Sequence, residues 1–188
     1  MIEIIINEIV ELSRPYLLLA TITGFYVVYA ICVIQSIIKG VTASGLFLEN
    51  RMKFFIMYLF YVYIVIMVAI TILSREPGSR VAVYLKLFHT FSGDIMGDKN
   101  PIENILLFIP FGFLIPLLWK KLYKGLWCLA AGLMVSLTIE AVQYVTGRGN
   151  VETDDVVMNF AGTIIGYTVI YCCKQASLWV RSRKIMKD

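Results

Sequence analysis

Carboxylate, carboxamide and guanidinium side chains are concentrated in two short parts of this sequence, and both parts interrupt long apolar runs. The first part is "TIEAVQYVTGR" at 138–148, and the second is "DDVVMNFAG" at 154–162. Their polar residues include Glu140, Gln143, Arg148, Asp154, Asp155 and Asn159. Carboxylates accept protons or bind cations, and guanidinium groups bind phosphate or carboxylate. The chemistry indicated is recognition of, or proton transfer to, a polar group at the edge of an apolar layer.

Helical spacing collects these side chains on two faces, one on each side of the turn that joins the two segments. The residues on these faces are Gly132, Ser136, Glu140 and Gln143 on the first segment, and Asp155, Asn159, Gly162 and Gly166 on the second. Consecutive spanning helices are antiparallel, so we predict that the two faces meet. Small residues would be in close contact at one end, as in other membrane helix pairs, and polar residues would oppose each other at the other end.

Glu140 is expected about five residues inside its helix end, some 7 or 8 Å deep at 1.5 Å per residue. A bare carboxylate at that depth costs roughly 2–3 kcal/mol or more, so it requires a partner or water. Arg75, Arg80 and Arg148 are the available cations, and Asn104 begins a neighbouring apolar segment. These residues predict an outward-facing polar pocket. Its predicted ligand-binding residues are Arg75, Asn104, Gln143, Arg148, Asp154 and Asn159.

A structural role is the alternative for several of these residues. Gln143 and Asn159 are suited to interhelical hydrogen bonds, worth about 1 kcal/mol each. Asp154 and Asp155 are suited to capping a helix N-terminus, where acids interact favourably with the helix dipole. Glu140 is harder to explain in this way, because its predicted depth makes an unused carboxylate costly.

The elements that must position these residues are membrane spans. The 188 residues are 59% hydrophobic and 16% charged, with a mean hydropathy of +0.78, whereas soluble domains are about 45–50% apolar and about 25% charged. A span requires roughly 20 apolar residues. The sequence therefore predicts an all-α, polytopic integral membrane helix bundle, as a single domain over 1–188. Its five predicted spans are 16–38, 54–73, 104–119, 126–145 and 156–173.

The charges predict an orientation and favour a full span at 104–119 over a re-entrant loop. With five spans, eleven of the 17 Lys and Arg residues fall on one side, in loops 39–53 and 120–125 and in the C-terminal tail. By the positive-inside rule that side is cytoplasmic, which places the N-terminus outside and the C-terminus inside. A re-entrant 104–119 would spoil this asymmetry. The basic tail then faces anionic lipid of the bilayer, which argues against nucleic acid as a partner.

The connection 74–103 is too long for a simple hairpin. Apolar residues between 81 and 91 recur at helical spacing, which predicts a short amphipathic helix in the outer interface. Strand-like alternation over 81–87 leaves a strand open as the alternative there. Acids at positions 3, 8 and 11 suggest a second interfacial helix over 2–12. The four cysteines lack the spacing of a metal site, and we predict neither a metal nor a cofactor.

Three ordered segments carry a family resemblance: "NILLFIPFGFLIPLLW" at 104–119, "SLTIEAVQYVTGR" at 136–148 and "DDVVMNFAGTIIGY" at 154–167, preceded by "ILSREPGSR" at 72–80. Over about 70–175 the chain resembles the VanZ-like family of bacterial membrane proteins, which is associated with resistance to the glycopeptide teicoplanin. The resemblance implies a multi-pass protein of the bacterial plasma membrane. The family's motif positions correspond here to Arg75, Asn104, Pro110, Gly112, Glu140, Gln143, Asp155, Asn159 and Gly162.

This sequence departs from the family's pattern at two places. Glu152 stands where the family usually has Asp, and "VYLKLFHTF" at 83–91 replaces an Asn-Leu-x-Pro-Phe stretch. Both lie at the predicted outer rim, where they would alter the ligand or the partner.

Pocket and resemblance together favour a protein that binds a lipid-linked cell-envelope component, such as a cell-wall precursor or an anionic lipid head group. Binding would lower glycopeptide susceptibility. The alternative is an intramembrane enzyme acting on outer-leaflet lipid or glycolipid head groups, with Glu140 as general base and Asp155 orienting water or a metal. A small transporter is disfavoured, because five spans without an internal repeat do not suit one.

Overall fold

Five helices, each long and apolar enough to cross a membrane, dominate the computed structural model, which describes residues 2–78, 83–84, 99–149 and 151–185. The helices are α1 (Ile2–Lys39), α2 (Ala43–Val68), α3 (Lys99–Leu118), α4 (Gly125–Thr146) and α5 (Thr153–Ile185). A π-helical segment, Ala69–Leu73, continues α2, and a 3-10 turn, Lys120–Tyr123, precedes α4. The predicted all-α bundle with five spans is confirmed.

A short pair of β-strands joins the α2–α3 connection to the α4–α5 connection at one end of the bundle. Strand β1 (Val83–Tyr84) pairs in parallel with strand β2 (Val151–Glu152), with Val83 opposite Val151. The predicted interfacial helix at 81–91 otherwise lies outside the described residues, and the two of its residues that are described are extended. This pairing holds the α2–α3 connection beside the turn between α4 and α5.

Helix α1 is one continuous helix of 38 residues, with Pro15 inside it. The segment 2–12, predicted as a separate interfacial helix, therefore forms the first turns of α1. At 1.5 Å per residue α1 is about 57 Å long, whereas the hydrocarbon layer is about 30 Å thick. The first turns also pack inward, because Ile5 is fully buried and Ile9 and Leu12 contact the main apolar core.

Helix α3 is unbroken despite Pro110 and Pro116, which agrees with a full span over 104–119 rather than a re-entrant loop. Neighbouring helices support it along its length. The Tyr63 hydroxyl of α2 donates to the Leu107 carbonyl at 2.7 Å. Phe108 and Phe111 of α3 are almost completely buried in the main core, which they share with α2 and α4. These contacts fix the height at which α3 presents Asn104.

Glycines bring α5 against α3, and this corrects the prediction that they would contact α4. A Cβ added at Gly162 would collide with the Ile105 carbonyl, and one at Gly166 with the Ile109 carbonyl. A Cβ at Gly112 of α3 would in turn collide with the Thr163 carbonyl. Periodicity shows which residues share a face, but it does not show which helix lies opposite. The α5 face lies in the groove between α3 and α4, and its small residues contact α3.

Candidate functional site

The predicted polar residues come together at the end of the bundle where α2 and α4 end and α3 and α5 begin. All of those on α4 and α5 are less than a tenth exposed. They are Glu140 at 4%, Gln143 at 2%, Asp154 at 3%, Asp155 at 8% and Asn159 at 4%. Burial of this many polar groups at one end of an apolar bundle requires specific partners.

The two carboxylates central to the prediction are held by different kinds of donor. An oxygen of Glu140 accepts a hydrogen bond from the backbone N–H of Glu152 at 3.1 Å. The Asp155 carboxylate is hydrogen-bonded to the Asn104 side chain of α3. The Glu140 and Asp155 carboxylates are close enough to repel each other, and both are attracted to the guanidinium of Arg75. The structure therefore assembles Arg75, Asn104, Glu140 and Asp155 into one polar cluster.

Next to this cluster, polar and small residues form the contact between α4 and α5. The Asn159 side chain donates from Nδ2 to the Ser136 hydroxyl at 2.9 Å. One turn further along, a Cβ added at Gly132 would lie 2.5 Å from the Thr163 hydroxyl. Asn159 thus has the interhelical structural role that the sequence left open for it.

The π-helical segment at the end of α2 supplies backbone carbonyls to the site. Gln143 donates from Nε2 to the Thr71 carbonyl at 2.8 Å. Arg148 donates from Nη1 to the carbonyls of Ile72 and Arg75, both at 3.1 Å. The last four carbonyls of a helix have no intrahelical donor, and π-helical segments are frequent at functional sites. Part of the Arg148 guanidinium is therefore committed to holding the backbone.

A left-handed glycine directs Arg148 toward those carbonyls. Gly147 ends α4 with φ of 62°, and the backbone N–H of Arg148 donates to the Gln143 carbonyl at 2.9 Å. Gly149 then passes so close to the cluster that an added Cβ would lie 2.7 Å from Nη1 of Arg75. The turn is tight because the polar side chains occupy the space beside it.

Gln143 keeps one polar atom without a hydrogen-bond partner among the described residues. Its Oε1 is buried and accepts from none of them. An added Cβ at Gly149 would lie 3.3 Å from that oxygen and 2.7 Å from the Arg75 guanidinium. A buried acceptor of this kind is normally satisfied by water or by a ligand.

A cavity of about 400 Å³ opens beside the cluster. Its described polar lining combines two guanidinium groups with carboxylates and an amide, from Glu8, Ser74, Arg75, Glu76, Glu103, Asn104 and Arg148. Among the predicted ligand-binding residues, Arg75, Asn104 and Arg148 line this cavity. Glu140, Gln143, Asp154, Asp155 and Asn159 are buried behind that lining.

Sequence reasoning missed the wall that α1 contributes to the cavity. Glu8 and Leu12 of α1 line it opposite the end of α2. The acid at position 8 was visible in the sequence, but nothing connected it to residues more than sixty positions away. Glu103 was missed as well, although it directly precedes Asn104. In the described part of the chain, no group of three or more His, Cys, Asp or Glu residues is arranged to hold a metal ion.

Fold and site together define a multi-pass membrane protein with a polar cavity at one end of its helix bundle. Within that class, the chain belongs to the VanZ/LLP1 family, whose model matches residues 54–174. The matched region includes the whole cluster and excludes all of α1 and the first turns of α2. The family resemblance of the motifs is thereby confirmed.

One curated relative is Protein VanZ of Enterococcus faecium, which is 35% identical to this chain over 68 residues. That alignment covers 36% of this chain and 42% of the relative. No solved structure matches the chain.

Proposed function

We propose that this VanZ-like protein binds the polar head group of a lipid-linked cell-envelope component and thereby lowers susceptibility to teicoplanin-type glycopeptides. The cavity carries the proposal. It lies at one end of a spanning bundle, where a head group would enter from the membrane surface. Arg75 and Arg148 are suited to phosphate, while Asn104 and the carboxylates are suited to hydroxyl and amide groups. Family membership supports the link to glycopeptides.

The proposed setting is the bacterial plasma membrane, with the cavity facing outward and the C-terminus in the cytoplasm. The basic loops and tail at the opposite end of the bundle support this orientation. In it, the cavity would meet lipid-linked cell-wall precursors or anionic head groups in the outer leaflet.

The test is a comparison of two arginine variants in cells at matched membrane levels. Arg75→Gln removes a guanidinium from the cavity, whereas Arg14→Gln removes one that is exposed on α1 and paired with Glu11. We expect Arg75→Gln to restore teicoplanin susceptibility and to weaken binding of a phosphate-bearing lipid-linked precursor roughly tenfold or more. Arg14→Gln should behave as the unmodified chain. Equal protection by the two variants would refute a head-group role for the cavity.

An intramembrane enzyme is the second candidate, and the proximity of Glu140 and Asp155 favours it. Both carboxylates are buried, and both interact with Arg75, which suits proton transfer next to a bound phosphate. Purified protein incubated with the precursor that it binds would release a product if it is an enzyme. Binding without any conversion over many hours would leave the binder as the correct description.

A further inference from the structure

A second cavity lies between α1 and α2, near the end of the bundle opposite the polar site. Its volume is about 610 Å³, within the range of small-molecule pockets. The described lining is apolar and aromatic apart from one serine and one arginine. Its lining includes Val28, Cys32, Ser44, Phe47, Arg51 and Phe54. We call this cavity the α1–α2 groove.

The groove lies where α2 does not run straight. Helical geometry is interrupted at Asn50, with φ of −113° and ψ of 20°, and the Asn50 side chain donates to the Leu46 carbonyl at 3.1 Å. Thr42 caps the helix start by accepting from the N–H of Gly45. The first turns of α2 are therefore a defined element set at an angle to the rest.

Packing holds these turns, and the turn that follows Asn50, against α1. Leu46 and Phe54 of α2 are buried together with Val28 and Cys32 of α1. The rings of Phe47 and Phe54 stack with their centroids 5.8 Å apart. The groove is thus walled by side chains that are fixed by a small core of their own.

The charge of the groove comes from Arg51, which is the one charged residue among the described lining residues. From Arg51 to Leu73 the helix rises about 33 Å, close to the roughly 30 Å thickness of the hydrocarbon layer. With Leu73 at one edge of that layer, Arg51 would lie near the other edge, at the level of lipid phosphates. The adjoining segment 39–53 carries Lys39 and Lys53 as well, against the single acid Glu49.

We propose that the α1–α2 groove binds one anionic phospholipid, with an acyl chain among the aromatic side chains and the phosphate on Arg51. An apolar channel with a guanidinium in its lining matches both parts of such a lipid. Phosphate is a preferred partner of arginine, and basic residues near the surface attract anionic lipid. The site is independent of the polar cavity, and most of its residues precede the region that the family shares.

Native mass spectrometry of the purified protein tests this proposal, with phosphatidylglycerol and phosphatidylcholine of identical acyl chains as probes. We expect phosphatidylglycerol to bind at one site at least tenfold more tightly than phosphatidylcholine. Arg51→Gln should reduce that preference roughly tenfold, since a charged hydrogen bond is lost. Lys53→Gln is the matched control, because Lys53 is exposed on the same helix and does not line the groove. It should keep the preference.

A second pair of variants tests the groove itself. Ser44→Phe fills the groove from an exposed position and should abolish one-site binding, whereas Ser177→Phe on exposed α5 should not. Equal affinity for the two lipids, or equal losses in Arg51→Gln and Lys53→Gln, would overturn the proposal in favour of diffuse charge attraction. A dimer that excludes lipid would overturn it in favour of a contact between two copies of this chain.

Discussion

At the scale of single residues, some side chains of the site hold the backbone and others face the cavity, and Arg148 does both. Gln143 and Arg148 use donors on the carbonyls of the π-helical segment. Arg75 and Asn104 line the cavity, with the carboxylates Glu140 and Asp155 behind them. Two kinds of substitution should therefore have different consequences, one on function and one on stability.

Charge at the buried carboxylates should matter for function more than for folding. Glu140→Gln keeps an acceptor for the Glu152 N–H, and Asp155→Asn keeps an acceptor for Asn104, so each variant should accumulate and stay folded. We expect both to lose protection against teicoplanin in cells at matched membrane levels. Glu49→Gln, an exposed acid far from the cluster, is the control and should protect fully. Full protection by both site variants would assign these carboxylates to structure.

Loss of the Arg148 side chain should destabilise the fold. Arg148→Met removes two hydrogen bonds to backbone carbonyls, and we expect the free energy of unfolding to fall by roughly 1–3 kcal/mol. Thermal unfolding in detergent measures the change. Arg14→Met breaks an exposed ion pair with Glu11 and should cost at most about 1 kcal/mol. If the two variants melt together, the bonds to the π-helical segment contribute little.

Residue types predicted which side chains gather, but not which atoms they bind. Glu140, Gln143, Asp155 and Asn159 were found from helical spacing and the cost of burying polar groups. The Thr71 carbonyl that receives Gln143 was not predictable, because each of the last carbonyls of a helix lacks an intrahelical donor, and the sequence does not show which of them faces Gln143. Backbone partners have no signature in residue type.

At the scale of elements, the sequence predicted the helices closely and one of their contacts wrongly. Apolar length and charge placed all five spans, including α3 with its two prolines. The glycines of α5 were assigned to α4 because those helices are consecutive. In the structure they contact α3, and the polar residues Asn159 and Thr163 of α5 meet α4. Sequence adjacency is a weak guide to packing when a third helix fits the small-residue face better.

Larger side chains on the glycine face should separate α3 from α5. We expect Gly166→Leu and Gly112→Leu to unfold in detergent at markedly lower temperature, because the added atoms would overlap backbone of the opposite helix. Ile165→Leu is the control, since Ile165 is 43% exposed on the same helix, and it should be nearly silent. Similar losses at all three positions would show that the contact is not specific to the glycine face.

At the scale of the whole molecule, the two ends of the bundle differ in their charge and in the cavity that each one holds. One end holds the polar cluster and its cavity, and the other holds the basic loops and the α1–α2 groove. The sequence predicted this difference between the ends, because acidic and basic residues fall in connections on opposite sides of the predicted spans. The α1 wall of the cavity was beyond prediction, because only the tertiary fold brings Glu8 to the end of α2.

The orientation is tested by cysteine accessibility on intact cells. In a background without the native cysteines, Glu3→Cys and Ser92→Cys should react with an impermeant thiol reagent, because the positive-inside rule places both outside. Ser182→Cys should react only after the membrane is opened. Labelling of Ser182→Cys on intact cells would reverse the orientation and place the polar cavity in the cytoplasm.

The glycine contact between α3 and α5 also constrains the order of events during synthesis. α3 leaves the ribosome well before α5, since α4 lies between them, so its closest partner is missing when it enters the membrane. Meanwhile Gly112 presents bare backbone to lipid and Asn104 has no Asp155 to bind. In a chain that ends after α4, the face of α3 that contacts α5 would stay uncovered. We expect membrane proteases to degrade such a chain. Quality control of this protein would therefore distinguish chains in which α5 has packed against α3 from chains in which it has not.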